Sequence, residues 1–235
     1  MAEPIIGILG GMGPLAGADF LARLTLATEA TRDQDHLRAV LWSDPTVPDR
    51  TAAALTGGPS PLPAMLAGVR VLEQAGAGCL AIPCNTAHLW AGEIAAATHL
   101  PLIHIVDAAA SALAARGVET GTIGLMGTAA TLRLGLYQKR LAARGYTALV
   151  PTDAEMTGAV SPAIARIKAN DLAGAAAPLL GVAEALSARG AAAVVLGCTE
   201  IPLALRGPEA AASGLVLIDT IDALARAALA WARPT

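Results

Sequence analysis

Aromatic side chains are scarce: three Trp, two Tyr and one Phe make up 3% of 235 residues. A platform that stacks nucleobases needs more such rings. Excess positive charge is missing too, with 16 basic against 19 acidic side chains and a net charge of -3. Phosphate backbones are gripped by basic surfaces, so no nucleic-acid partner is expected. No stretch reaches 18 apolar residues without a charge or a breaker, so no membrane span is expected. Met1-Ala2-Glu3-Pro4 carries no basic segment ahead of the apolar, glycine-rich 5–18, which argues against a signal peptide and for a cytoplasmic chain. The three cysteines, Cys79, Cys84 and Cys198, are too few and odd in number for a disulfide framework.

Cofactor signatures are equally thin. The only lysines are Lys139 and Lys168, and neither sits in a pattern pointing to a pyridoxal Schiff base. No Walker motif is present. Residues 11–16 meet the dinucleotide-binding spacing formally, but Pro14 removes a backbone donor and no acidic residue closes the second strand. No His/Cys set has zinc-ligand spacing. Neither a cofactor nor a metal is expected.

What the chain does have is apolar bulk, 54% hydrophobic against 15% charged, enough for a large core. Short, continuously apolar runs alternate with helical patterns, as buried parallel sheet demands. Strands are expected at Ile5–Leu9, Leu37–Trp42, Cys79–Ile82, Pro101–Ile105, Thr120–Leu125, Ala148–Val150, Ala192–Leu196 and Leu215–Ile218. Helices are expected at 15–32, 64–75, 87–97, 107–116, 132–144, 163–168, 172–188 and 221–231. The proline-rich 43–51 and the stretch 151–161 read as loops.

The pattern restarts midway. Gly7, Gly10, Met12 and Gly13 match Gly121, Gly124, Met126 and Gly127 at an offset of 114, as Leu72, Gly76 and Cys84 match Leu186, Gly190 and Cys198. The expected architecture is α/β: two similar parallel-sheet domains related by a pseudo-two-fold, with the active site in the cleft between them. The first domain is expected at 1–106, the second at 107–214, with 215–235 packing back on the first.

In open α/β sheets, ligands bind outside the carboxyl ends of strands. Cys84 and Cys198 both fall at such ends. Thiols facing each other across one carbon suit racemisation or epimerisation, one sulfur removing a proton and the other returning one from the opposite face. Asn85, Thr86 and Thr199 are candidate donors to developing enolate charge. The Gly10–Gly13 turn offers backbone N–H groups, or is only a tight turn. Arg50 is a candidate carboxylate clamp on the proline-rich loop, or a solvated charge. Glu200 either opposes ionisation of a nearby thiolate or pairs with a substrate ammonium. His88 either tunes Cys84 through a local hydrogen bond or caps packing. Cys79, inside a strand, reads as core, His104 as a core or rim histidine, and Met12 and Met126 as packing at the cleft floor.

Six motifs together resemble the aspartate/glutamate racemase family, in its aspartate or broader amino-acid branch: Gly7–Pro14 (GILGGMGP), Val47–Arg50 (VPDR), Pro83–His88 (PCNTAH), His104–Asp107 (HIVD), Gly124–Thr128 (GLMGT) and Gly197–Pro202 (GCTEIP). The resemblance covers essentially the whole chain. It implies an enzyme that works without pyridoxal phosphate, metal or nucleotide, commonly as a homodimer. Its catalytic pair falls on Cys84 and Cys198, the second usually serving the L-enantiomer and the first the D-enantiomer. Substrate carboxylates would be held near Met12, Arg50, the Cys84–Thr86 turn, Thr128 and Lys168. One departure is that Asp219-Thr220 is followed by Ile221-Asp222, where the family usually has a histidine two residues after the pair. The expected reaction is interconversion of L- and D-aspartate. Glutamate or broad-specificity racemisation is the alternative, and a related isomerase or decarboxylase of small carboxylic acids a more distant one.

Overall fold

A computed structural model describes residues 4–233 of the chain; the reading of Met1–Glu3 as a flank without leader character lies outside them. In chain order the strands and α-helices are β1 (Ile5–Gly10), α1 (Pro14–Ala27), β2 (Ala39–Ser43), α2 (Arg50–Thr56), α3 (Leu62–Gln74), β3 (Ala77–Ala81), α4 (Ala91–Ala96), β4 (Leu102–Ile103), α5 (Ile105–Ala115), β5 (Gly121–Gly127), α6 (Ala129–Arg133), α7 (Leu136–Ala142), β6 (Tyr146–Leu149), α8 (Asp153–Glu155), α9 (Ser161–Lys168), α10 (Ala173–Ala188), β7 (Val194–Gly197), α11 (Ile201–Ala204), α12 (Pro208–Ala212), β8 (Leu217–Asp219) and α13 (Thr220–Ala232). They build two four-stranded sheets of order β2-β1-β3-β4 and β6-β5-β7-β8, every pairing parallel. The fold is therefore α/β, as the continuous apolar strands require. Among the described residues no helix is long and apolar enough to cross a membrane.

The chain divides into two compact units, residues 1–108 with 221–235, and residues 109–220. In the first, Leu9, Val69, Leu72, Leu80 and Ile82 pack into one core that also takes in Met12, Val47 and Cys84. Helix α13 belongs to this unit, and the Trp231 ring lies where a side chain on Gly78 of β3 would go, 3.1 Å from it. In the second, Met126, Leu179, Leu186, Val194 and Leu196 form a core that includes Cys198 and Ile164. Residues 215–235 thus divide. β8 needs a ladder partner and finds it in β7 of the second sheet, while Ile221 onward groups with the first unit.

The repeat is present, but its register is not uniform. Gly7 pairs with Leu80, 73 positions on, whereas Gly124 pairs with Val194, only 70 positions on. With β3 and β7 equivalent at an offset of 114, β1 and β5 are then equivalent at 117. Gly7 answers to Gly124, and Gly10 to Gly127. Packing agrees: a Cβ on Gly7 would press on the Leu72 Cβ at 3.5 Å, and one on Gly124 on the Leu186 Cβ at 3.1 Å. The turn after the first strand is longer in the first unit, and the matches of Gly10, Met12 and Gly13 at 114 do not mark equivalent places.

Several expected elements also change. Arg50 is not on a loop: Asp49 caps α2 by accepting from the Ala52 N–H at 2.7 Å, so Arg50 opens the helix. Expected helix 15–32 stops at Ala27, and the 87–97 helix splits into a 3-10 turn over Thr86–Trp90 and α4. Helix 132–144 breaks at Gly135, whose φ of 70° neither α6 nor α7 can contain. Stretch 151–161, expected as a loop, is helical from Asp153 onward. Thr152 and Glu155 form a capping box that starts α8, and a π turn over Met156–Val160 carries it into α9 just before Pro162, which has no amide to donate.

Candidate active site

Strands β2 and β3 flank β1 on opposite sides, so β1/β3 is the switch point of the first sheet, as β5/β7 is of the second. The crevice outside the carboxyl ends at such a point is where α/β sheets bind ligands. Four turns occupy these ends: Gly11–Gly13 after β1, Ile82–Asn85 after β3, Thr128 after β5 and Cys198–Glu200 after β7.

In the first unit, Gly11 holds φ +89°, and a Cβ there would sit 2.3 Å from the backbone of Asp44 beyond β2. Only glycine lets the turn pass so close. The buried Met12 side chain packs with Val47 and Cys84, so the packing role expected for it holds within this unit. Cys84, Asn85 and Thr86 are all buried, Cys84 with its N–H donating to the Ile82 carbonyl at 2.7 Å. His88 lies beneath them and is 2% exposed. Its Nε2 accepts from the Ile105 N–H at 3.2 Å, so Nδ1 carries the proton and donates to the Cys84 carbonyl at 2.9 Å. His104 stands edge-on to the His88 ring, centroids 4.8 Å apart, and its Nδ1 accepts from the Val106 N–H at 3.2 Å. These bonds tie the Cys84 turn to the start of α5. We expect His88→Ala to cost about 3 kcal/mol, measured by urea denaturation, because it leaves a buried donor and acceptor unpaired. His88→Asn, which keeps a donor near Nδ1, recovers part of that; an unchanged midpoint in His88→Ala would discount the tie.

Arg50 is half-buried. Its Nη1 donates to the carbonyls of Val47 and Pro48 at 3.1 and 3.0 Å, fixing the turn that precedes α2. Its Nε is buried and has no hydrogen-bond partner among the described residues. A guanidinium with one nitrogen committed to the scaffold and Nε unfilled is suited to a carboxylate. Cys79, by contrast, is fully buried inside β3, and burial pushes its thiol up to about 12, so it stays a protonated core residue.

In the second unit, Gly127 and Gly197 are ladder partners whose backbones pass so close that a Cβ on either would lie within 3.0 Å of the other strand. Cys198 follows, 3% exposed, with Thr199 and Glu200 also buried. The Cys198 Sγ donates to Glu200 Oε2 at 3.0 Å, and the Thr199 hydroxyl reaches the same oxygen at 3.4 Å. Burial raises the Cys198 thiol well above its ordinary range, and the Glu200 carboxylate raises it further. The Glu200 backbone N–H and the Lys168 charge pull the other way. Lys168, at the exposed end of α9, thus acts on Cys198, a link that spacing alone did not disclose. Thr128 caps α6, its Oγ1 accepting from the Thr131 N–H at 3.2 Å.

Two groups around Cys198 escaped the sequence reading. Tyr137 is wholly buried, its ring against Gly197, and it titrates high because of burial and then the Cys198 charge. Thr220 bonds Tyr137 and donates to the Leu196 carbonyl at 2.8 Å. Tyr137 lies 61 positions before Cys198, and no local pattern links them. At the departure noted above, Ile221 is core and Asp222 pairs with Arg226 at 2.8 Å, while Asp219 pairs with Arg206 at 2.8 Å. Among the described residues no group of three or more His, Cys, Asp or Glu side chains could hold a metal ion.

The chain is similar in structure to the aspartate racemase of Picrophilus torridus, with a TM-score of 0.85, 32% identity and coverage of 97% of this chain and 94% of that one. Its likeness to a glutamate racemase from Campylobacter jejuni, at TM-score 0.65 and 23% identity over 94% of this chain and 83% of that one, is one of fold. The broad specificity amino-acid racemase RacX of Bacillus subtilis is 30% identical over 147 residues, 60% of this chain and 62% of that protein. The model of the Asp/Glu/Hydantoin racemase family matches residues 9–228, nearly the whole chain. The chain belongs to the Asp/Glu/Hydantoin racemase family.

Proposed function

We propose that the chain is a cofactor-independent amino-acid racemase that inverts aspartate with two thiols, Cys84 and Cys198, one from each unit. One thiolate takes the proton from Cα, breaking C–H and forming S–H. The electron pair passes into the substrate carboxylate as enolate charge, and the other thiol gives its proton to the opposite face of the carbon. The observation that carries this reading is the matched standing of the two buried thiols, each in the turn that follows the carboxyl end of a switch-point strand. Asn85, Thr86, Thr128 and Thr199 are the donors proposed for the developing charge. Met12 shapes the apolar side of the site. Arg50 and Lys168 hold substrate carboxylates, and the working enzyme is a homodimer.

Aspartate is put first because the aspartate racemase of Picrophilus torridus shares 32% identity over nearly both whole chains. A broad-specificity reading rests on the 30% identity to RacX over part of its length. Incubation with single enantiomers of aspartate, glutamate and neutral amino acids, with no cofactor added, separates them by chiral chromatography. Fast inversion of aspartate alone supports the first reading, and comparable rates across several amino acids the second. No inversion of any amino acid would sink both. Arg50→Lys is expected to raise KM for aspartate ten- to a hundredfold, since a point charge cannot replace the bidentate fork (about 1.5–3 kcal/mol). An unchanged KM would remove Arg50 from the site.

A further inference from the structure

We infer that Cys198 is the proton-carrying member of the thiol pair at rest, held in that state by the Glu200 carboxylate, and that Cys84 is the base with which the resting enzyme begins. This rests on the two-thiol reading above. Geometry carries it: a buried Sγ lies 3.0 Å from a buried Glu200 oxygen, and with Glu200 present as a carboxylate that bond lasts only while the sulfur keeps its hydrogen. A carboxylate so close is a counter-ion to no thiolate. When Cys198 gives its hydrogen to the substrate carbon, the S–H electron pair stays on sulfur and two negative charges face each other across that short gap. The enzyme form left behind is therefore the higher-energy one, and it returns to rest by moving a proton back onto Cys198.

The titratable groups around Cys198 come from three elements. Glu200 faces it from its own turn, Lys168 acts on it from α9, and Tyr137 packs against Gly197 from α7. Burial and Glu200 raise the thiol, and the Lys168 charge only partly offsets them. Glu200 is thus a positioning residue acting through Cys198. The same contact separates the two halves of the site, since Asn85 and Thr86 stand where Thr199 and Glu200 do in the 114-residue register.

The test needs no substrate, so its failure and the failure of the racemase reading are distinguishable. Cysteine labelled with carbon-13 at Cβ is followed by NMR as pH rises, in the full chain, with resonances assigned from single Cys→Ser variants. Cys198 is expected to keep its thiol shift throughout the pH range in which Cys84 titrates, and to titrate only above it. Glu200→Gln is expected to raise the Cys198 ionisation constant about tenfold, a titration about one pH unit lower. Glu200→Asp, which keeps the charge, is expected to keep most of the wild-type behaviour. Cys79, locked in the core, serves as the folded-state control in each variant. A thiolate shift at Cys198 in the wild type at neutral pH would overturn the inference. So would coincident Cys198 titrations in the wild type and Glu200→Gln.

Discussion

Cys84→Ser and Cys198→Ser are each expected to lower the rate of aspartate inversion at least about 10³-fold, because on the proposed mechanism each removes one of two positioned acid–base groups. A serine hydroxyl fits the space of a thiol, yet its proton is held too tightly for it to serve as the base near neutral pH. On the two-thiol proposal neither thiol can replace the other, since each works on its own face of the carbon. The decisive comparison is circular dichroism of D- and L-aspartate with each variant. One variant can still exchange the α-hydrogen of a single enantiomer, because the surviving thiol still meets one face. Full inversion by either variant would remove the two-thiol assignment. The core position of Cys79 supplies the contrast: Cys79→Ser is expected to leave inversion within a few-fold of wild type, and its buried hydroxyl to cost stability instead, about 1–3 kcal/mol.

The second large effect is on folding. Gly11→Ala is expected to destabilise the first unit by about 3 kcal/mol or more, since it adds a strained positive φ to a direct collision. The φ of +89° is one cost, and a Cβ 2.3 Å from the Asp44 backbone is another that no rotamer relieves. Gly57 separates the two. Its φ is +71° but nothing lies within 4 Å of the position, so Gly57→Ala is expected to cost only about 1–2 kcal/mol. Urea midpoints of the two variants against wild type give the comparison, and equal losses would mean that the Asp44 approach is unimportant. Because Met12 follows directly and packs with Cys84, Gly11→Ala is also expected to impair inversion in whatever fraction still folds.

Much of this was legible in the sequence because the signals were local. Parallel sheet followed from strands that run apolar over most of their length rather than alternating, and the placing of the two thiols at strand ends from a repeat seen in Leu72/Leu186 and Cys84/Cys198 together. The register of the first strands was misread because glycine and methionine recur often enough to match at 114 by accident. Backbone pairing, which gives 117, leaves no trace in composition. Arg50 stood as a candidate clamp on a loop, since the prolines before it mask the cap that Asp49 supplies, but it opens a helix. The capping box of Thr152 and Glu155 was readable and overlooked beside Pro151 and Gly158. Lys168 came only from the family resemblance, Thr220 stood out only as part of the Asp219-Thr220 pair, and nothing in the sequence pointed to Tyr137. Lys168 acts on Cys198 through its charge, Tyr137 packs against Gly197 and Thr220 bonds Tyr137, across separations that no periodicity records. Glu200 lay between: its nearness to Cys198 was plain, but which of its two roles it serves depends on where Oε2 points.

The central claim is that two thiols serve opposite faces of one carbon, and isotope placement tests it most directly. The enzyme is incubated in deuterated water with L-aspartate alone, then with D-aspartate alone, and stopped early in the reaction. Product and remaining substrate are separated by chirality and their α-hydrogen is read by mass spectrometry. The thiol that donates carries a hydrogen exchanged with solvent, while the abstracted hydrogen stays on the other sulfur, so the account predicts deuterium in nearly every product molecule and little in the remaining substrate, in both directions. Products that keep their original hydrogen, or substrate that fills with deuterium as fast as product forms, would point to a single base and contradict it.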